Sequence, residues 1–347
     1  MSKTIYINLG VPAIRYFTLD YPGQVAGDKT ALTGIRRRGD LFYISGFFTS
    51  VNRSTGVLFV GRLTDAGAVG TWYDLNFPST PGRTVTKTSL YGPDVGHDIK
   101  ATCHGVKGAS HEIKIVGNYN ISESPGAIGL LYQSNGKESS WTTIVPYIDN
   151  RVATNTIAHS TMGDLVVGNY NIAADSLSRA FIYSIPSGRY FPIVRLGAAS
   201  TTAYGIWYNG KGRYTICGGH SQAGTETSVA YLVDWSIKTK RFKNWQSYFY
   251  NNDPNVRVTH FNGISRDKAG TYHLTGDAVD GVGDEHAFVT RIRRLRNGQF
   301  EPLPIWTIID YPGSLTTSGN SIYNGTAIGV YLKPQDTSAY GYYVQLL

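Results

Sequence analysis

The 347-residue chain is only 16% charged and carries 40 glycines, 25 tyrosines and 14 prolines, a mix that favours strands and tight turns over long helices. Its net charge of +8 suits anionic partners as well as plain solubility. No apolar run reaches membrane-spanning or signal length, so the chain reads as soluble with no membrane segment, cytoplasmic or secreted with its leader removed.

Residues 14–23 read as a strand ending in Asp20-Tyr21-Pro22-Gly23, and Asp310-Tyr311-Pro312-Gly313 repeats that text where one unit closes and the next begins. The N-terminal strand is therefore expected to be the last strand of a unit whose other strands lie at the far end of the chain. A first full unit follows: an inner strand at 30–35, a turn at Arg36-Arg37-Arg38-Gly39-Asp40, and strands at 41–46, 57–63 and 71–77. The stretch 78–97, rich in Thr, Ser, Gly and Pro, reads as the longest loop. The second unit is expected at 101–106, 113–117, 126–132 and 141–145, and the third at 153–157, 165–168, 179–184 and 190–194. The fourth is expected at 201–206, 214–218, 229–235 and 242–248, and the fifth at 259–264, 272–276, 286–292 and 306–310. The sixth, at 318–322, 327–329 and 340–346, is one strand short.

Val116-Gly117-Asn118-Tyr119-Asn120-Ile121 returns as Val167-Gly168-Asn169-Tyr170-Asn171-Ile172. A fixed period near fifty residues is the mark of a repeat architecture. The second strand of every unit ends in glycine: Gly46, Gly117, Gly168, Gly218, Gly276 and Gly329. Four short strands per unit at this spacing predict an all-β, six-bladed β-propeller occupying 1–347 as a single domain. The blades are expected near 29–77, 98–146, 151–195, 200–249, 256–310 and 315–347, with residues 14–20 pairing into the last blade and closing the ring.

Glu285-His286-Ala287-Phe288-Val289 has counterparts at Arg179-Ala180-Phe181-Ile182-Tyr183 and Val229-Ala230-Tyr231-Leu232. This resembles the HAF-type repeat of bacterial β-propellers, in which a His-Ala-Phe strand recurs in each blade. The resemblance implies a propeller and a structural role for His286, and it implies no activity.

In a propeller, first strands line the channel, and ligands bind across its mouth. Aligning the units places Thr33, His104, Asn155, Tyr204, Asn262 and Asn320 in one polar ring. Two residues earlier on the same strand face stand Ala31, Thr102, Ala153, Thr202, His260 and Ser318. The exits of the second strands add Phe47-Phe48, Asn118-Tyr119, Asn169-Tyr170, Gly219-His220, Asp277-Ala278 and Val330-Tyr331, an asymmetric rim that suits one central ligand. Tyr119, Tyr170 and Tyr331 are expected to offer stacking surface. Lys29, Lys100, Arg151 and Arg257, on the loops before the inner strands, are expected to make the mouth positive and favour an anionic ligand.

The reading that follows is a ligand-binding propeller that takes a polar small molecule or glycan at the channel mouth. The alternative is an enzyme (a lyase, cyclase or hydrolase) using His104 or His220 as base, Tyr204 as acid and Asp277 to orient or charge the site. A protein-interaction scaffold is a third reading. No cofactor or metal-ligand spacing is present, there is no phosphate loop or nucleophile elbow, and the arginine cluster lacks the aromatic interleaving of a nucleic-acid binder. Cys103 and Cys217 sit in non-adjacent units and are not expected to pair. The sequence leaves the oligomeric state open.

Overall fold

The structure, a computed structural model, describes residues 14–96 and 113–346 apart from 174, 176, 223 and 226. It is all-β, with a single 3-10 turn at Tyr250–Asn252 among the described residues. No helix among them is long and apolar enough to cross a membrane.

The strands associate in antiparallel sets of four. Lys29–Arg38, Leu41–Thr49, Ser54–Thr64 and Gly67–Asp74 form the first set. Val85–Asp94, Ile113–Ile121, Ser124–Ser134 and Ser139–Ile144 form the second. Asn155–Met162, Leu165–Asn171, Arg179–Ser184 and Arg189–Ile193 form the third. In the fourth, Gly205–Gly210 and the short Ala198–Thr201 both pair with Arg213–Gln222, followed by Ser228–Ser236 and Arg241–Tyr248. Val258–Arg266, Tyr272–Val279, Glu285–Ile292 and Ile305–Ile308 form the fifth. In the sixth, Thr316–Tyr323, Thr326–Leu332 and Ala339–Leu346 are joined by the N-terminal strand Ile14–Thr18, which pairs Ile14 with Leu346 and Thr18 with Tyr342. A two-stranded hairpin, Tyr147–Ile148 with Arg151–Val152, stands between the second and third sets.

The second set departs from the sequence expectation. Residues 85–94 form its first strand rather than a loop, and the strand expected at 101–106 lies outside the described residues. The third set also starts differently, because its first strand runs on to Met162. Arg36-Arg37-Arg38 is the end of the first strand and not a turn, and Arg36 is buried.

Two repeated contacts set this register. The first is the glycine that ends each second strand. A methyl group on Gly46, Gly117, Gly168, Gly218, Gly276 or Gly329 would overlap the carbonyl oxygen of Ala31, Ser89, Ile157, Thr202, His260 or Ser318 respectively. Each first strand thus presses a carbonyl onto the neighbouring backbone, where only glycine fits. The second is a buried threonine one residue before that carbonyl: Thr30, Thr88, Thr156, Thr201, Thr259 and Thr317. Four of these hydroxyls accept the backbone N–H of an aromatic residue that follows a fourth strand: Tyr21 to Thr30 at 3.0 Å, Phe77 to Thr88 at 3.1 Å, Tyr250 to Thr259 at 2.9 Å and Tyr311 to Thr317 at 2.9 Å. A buried N–H left without such an acceptor costs about 1–3 kcal/mol. Apolar faces of adjacent sets interdigitate around rings such as Trp72, Trp245 and Trp306.

Candidate functional site

Just beyond the pressed carbonyl, the pairing of each first strand with its neighbour slips. The irregularity falls between Leu32 and Gly34, Leu90 and Pro93, Ala158 and Ser160, Phe261 and Gly263, and Gly319 and Ser321. In the fourth set the same place is the gap between Thr201 and Gly205. A bulge leaves one residue outside the ladder and re-aims its side chain. Among the residues released are Thr33, Tyr91, His159, Tyr204, Asn262 and Asn320, one from each set; Gly92 is left out beside Tyr91, and Thr202 and Ala203 beside Tyr204. With His260 and Asp277 those six line a single cavity of about 250 Å³, and each is half-buried.

One side of the wall is aromatic. The rings of Tyr91 and His159 meet edge-on at 4.9 Å, those of His159 and Tyr204 at 4.7 Å, and Tyr204 lies 5.8 Å from His260. The other side is amide and carboxyl. Asn262 Nδ2 donates to Asp277 Oδ2 at 2.6 Å and to the Gly319 carbonyl at 3.2 Å. Asp277 Oδ1 accepts the Gly319 N–H at 2.7 Å, and Ser318 Oγ donates to Oδ2 at 3.3 Å. Asn320 Nδ2 donates to the Leu32 carbonyl at 2.7 Å, and Thr33 Oγ1 to the Leu90 carbonyl at 2.5 Å. The polar half therefore links the fifth set to the sixth, the sixth to the first and the first to the second.

Three residues further along each first strand stand Arg36, Asp94, Met162, Trp207, Ser265 and Tyr323, all buried. The Arg36 guanidinium lies 5.6 Å from the Trp207 ring, and Trp207 lies 6.4 Å from Tyr323. Side chains from the first, fourth and sixth sets thus meet three residues further along the first strands from the cavity wall.

Burial shifts the titrating groups in a consistent direction. Loss of hydration pushes His159 down to about 3 and His260 down to about 4, so both imidazoles are neutral at pH 7. Burial, partly offset by the Gly319 and Asn262 hydrogen bonds, pushes the Asp277 carboxyl up to about 7. Burial also raises Tyr204, with the Asp277 charge adding to it, and pushes Tyr91 up to about 12. His260 is held by Ser228 Oγ, 2.6 Å from Nε2, and its ring covers Gly219, where a side chain would collide with it.

Six residues expected at the mouth line this cavity: Thr33, Tyr204, Asn262, Asn320, His260 and Asp277. Others do not. Asn155 lies four residues before the bulge and bonds Asn171 and the Ala127 N–H, so His159 holds the place assigned to it. His104 and Lys100 lie outside the described residues, and Tyr91 occupies the position expected for His104. His220 is buried between Tyr231 and Trp245, with Nε2 3.0 Å from Ser247 Oγ, outside the cavity. Tyr119, Tyr170 and Tyr331 are buried and do not line this cavity; Tyr119 stacks on Phe77 at 3.9 Å, Tyr331 stacks on Tyr311 at 3.8 Å, and Tyr170 lines a separate cavity beside the third set. Lys29, Arg151 and Arg257 are exposed and do not line this cavity.

A signal for the two missed residues was present in the sequence. Thr88-Ser-Leu-Tyr91-Gly92 and Thr156-Ile-Ala-His159-Ser160 match Thr30-Ala-Leu-Thr33-Gly34, with threonine three residues before the released side chain and Gly or Ser after it. Among the described residues no group of three or more His, Cys, Asp or Glu could hold a metal ion.

No family model matches the chain, and no curated protein matches it. Among solved structures it is similar to a GH43 endo-arabinanase from Bacillus licheniformis (10% identity, TM-score 0.41, covering 77% of this chain and 95% of the other). It is also similar to a β-1,2-mannobiose phosphorylase from Listeria innocua in complex with β-1,2-mannobiose (9% identity, TM-score 0.42, covering 96% and 97%).

Proposed function

We propose that the six sets of strands are the blades of a six-bladed β-propeller, closed by the pairing of Ile14–Thr18 with Ala339–Leu346, and that its central cavity is the active site of an acid–base enzyme. The observation that carries the enzymatic reading is a contrast between Asp277 and Asn169. Both follow the glycine of a second strand, and both accept a backbone N–H from the next first strand, Asp277 from Gly319 and Asn169 from Ala203, each at 2.7 Å. An amide suffices for that bond. The carboxyl at 277 brings a buried ionisable group poised near neutrality, a state suited to proton transfer.

In this reading Asp277 moves the proton. The imidazoles are too weakly basic to do so, which reverses the roles expected from sequence. As neutral groups His159 and His260, with the Tyr204 hydroxyl, donate hydrogen bonds to oxygen that gains charge in the reaction. Asp277 is the single carboxylate lining the cavity among the described residues, which disfavours the paired carboxylates of ordinary glycoside hydrolysis and favours a lyase- or isomerase-type proton abstraction. The substrate is small, neutral and hydroxyl-bearing, because the wall offers amides, hydroxyls and ring faces and no cation. A monosaccharide or comparable polyol fits that volume and chemistry.

The test is a panel of neutral saccharides and polyols. Binding is read by thermal shift, and consumption by NMR, for the natural chain and Asp277→Asn. The expected result is a ligand that both proteins bind and only the natural chain converts, since a general base contributes about 10²–10⁴ in rate. A ligand bound equally by both and consumed by neither would replace this reading with the binding-module one.

A further inference from the structure

A second cavity, of about 340 Å³, lies between the third and fourth sets and is bounded on one side by the Tyr147–Ile148 and Arg151–Val152 hairpin. Three arginines, Arg151, Arg179 and Arg195, line it. Arg179 is committed: its Nη1 and Nη2 grip the two Asp175 oxygens at 2.8 and 2.7 Å. Arg151 and Arg195 make no ion pair among the described residues. The Arg195 guanidinium lies 5.1 Å from the centre of the Trp245 ring, a cation–π contact. Its charge helps hold His220 down, after burial. Arg151 sits close enough to add to the lowering of Asp175. Apart from Asp149, the rest of the lining is hydroxyl and apolar, with Ser178, Thr201 and the phenol Tyr170 on one hand and Ile172 and Ile193 on the other.

We propose that this cavity is a binding site for a small organic anion, its carboxylate or phosphate ester held by Arg151 and Arg195 and its body resting on the aliphatic wall. A guanidinium fork matches both anions in geometry, and the Arg179–Asp175 pair is an internal instance of the same recognition. The cavity is larger than an inorganic anion needs, so the ligand carries an organic portion. One carboxylate in the lining, Asp149, against three guanidiniums leaves the site net positive. The site shares no lining residue with the central cavity, and the inference does not depend on the enzymatic reading.

The probes are phenyl phosphate and benzoate, titrated calorimetrically at low salt into the natural chain, Arg151→Glu, Arg195→Ala and Asp277→Asn. Arg151 is exposed, so its variant is expected to fold normally, which the unfolding midpoint checks. At least one probe should bind with Kd on the order of 1 mM. Each arginine variant should weaken it about tenfold or more, Asp277→Asn should leave it unchanged, and 0.5 M salt should weaken it. No binding of either probe up to about 50 times that concentration, or binding that survives in both arginine variants, would overturn the proposal.

Discussion

Asn169 and Asp277 occupy the same place in two sheets and differ by one heavy atom, an amide nitrogen against a carboxyl oxygen. Asn169, in the third sheet, fastens the fourth through the Ala203 N–H. Asp277, in the fifth, fastens the sixth through the Gly319 N–H and holds Asn262 and Ser318 besides. The first is a structural tie with no titration. The second makes the same tie while carrying a group whose charge burial opposes. The lesson is that a repeated scaffold lets two sheets make the same tie while only one of them places a titrating group in it.

The largest effect should come from the device both sheets share. Gly168→Ala and Gly276→Ala each place a methyl group against a carbonyl oxygen of the adjacent first strand. Both should lose on the order of 3 kcal/mol, seen as a lower urea midpoint. A large loss in one and none in the other would show that the two sheets are not built alike.

The next pair exchanges the residues. In the folded state Asp277 titrates at about 7, against an ordinary 3.8 when unfolded. Between those values the folded protein binds more protons, so the natural chain loses stability as pH rises from about 4 to 7 and loses no more above that. Asp277→Asn removes that slope and should be more stable than the natural chain at pH 8, by on the order of 2 kcal/mol, with little difference at pH 4. The remaining slope belongs partly to Asp20, which burial pushes up to about 6. Asn169→Asp should create a new slope of the same sign, costing more at pH 8 than at pH 5. Urea unfolding at the two pH values checks both. A pH-independent difference would break the comparison.

Thr259→Val takes away the acceptor of the Tyr250 N–H and should cost about 1–2 kcal/mol, read from the thermal midpoint. His220→Gln is expected to do least. It exchanges one hydrogen bond to Ser247, should cost about 1 kcal/mol or less, and should leave turnover of any substrate of the central cavity unchanged. A loss of turnover would restore His220 to the catalytic set from which its position removes it.

Much of the fold was legible because each unit repeats its local text. The six glycines could be found by spacing alone, and the reason for them is a single steric contact made six times. The spare N-terminal strand was legible because Asp20-Tyr21-Pro22-Gly23 copies Asp310-Tyr311-Pro312-Gly313, and the two aspartates do the same work: each accepts a third-strand N–H at 2.8 Å, from Gly341 and Ala287. The first strands of the second and third units were misplaced for a local reason. His104-Gly105 imitates the Tyr91-Gly92 end of the text that Thr88 to Gly92 carries earlier in the chain, although its threonine stands one residue too close, and Ser160 replaces the glycine that would have marked His159.

Strand period, glycine placement and the threonine before each bulge are properties of neighbouring residues, and the sequence by itself determined them. The arrival of Tyr91 and His159 in the cavity beside Tyr204, His260 and Asp277, the diversion of His220, Tyr119, Tyr170 and Tyr331 away from it, and the state of the Asp277 carboxyl were decided only by the tertiary structure. The reason is physical. A side chain's direction at a bulge depends on pairing with another strand, and its charge depends on how much water the other sheets exclude.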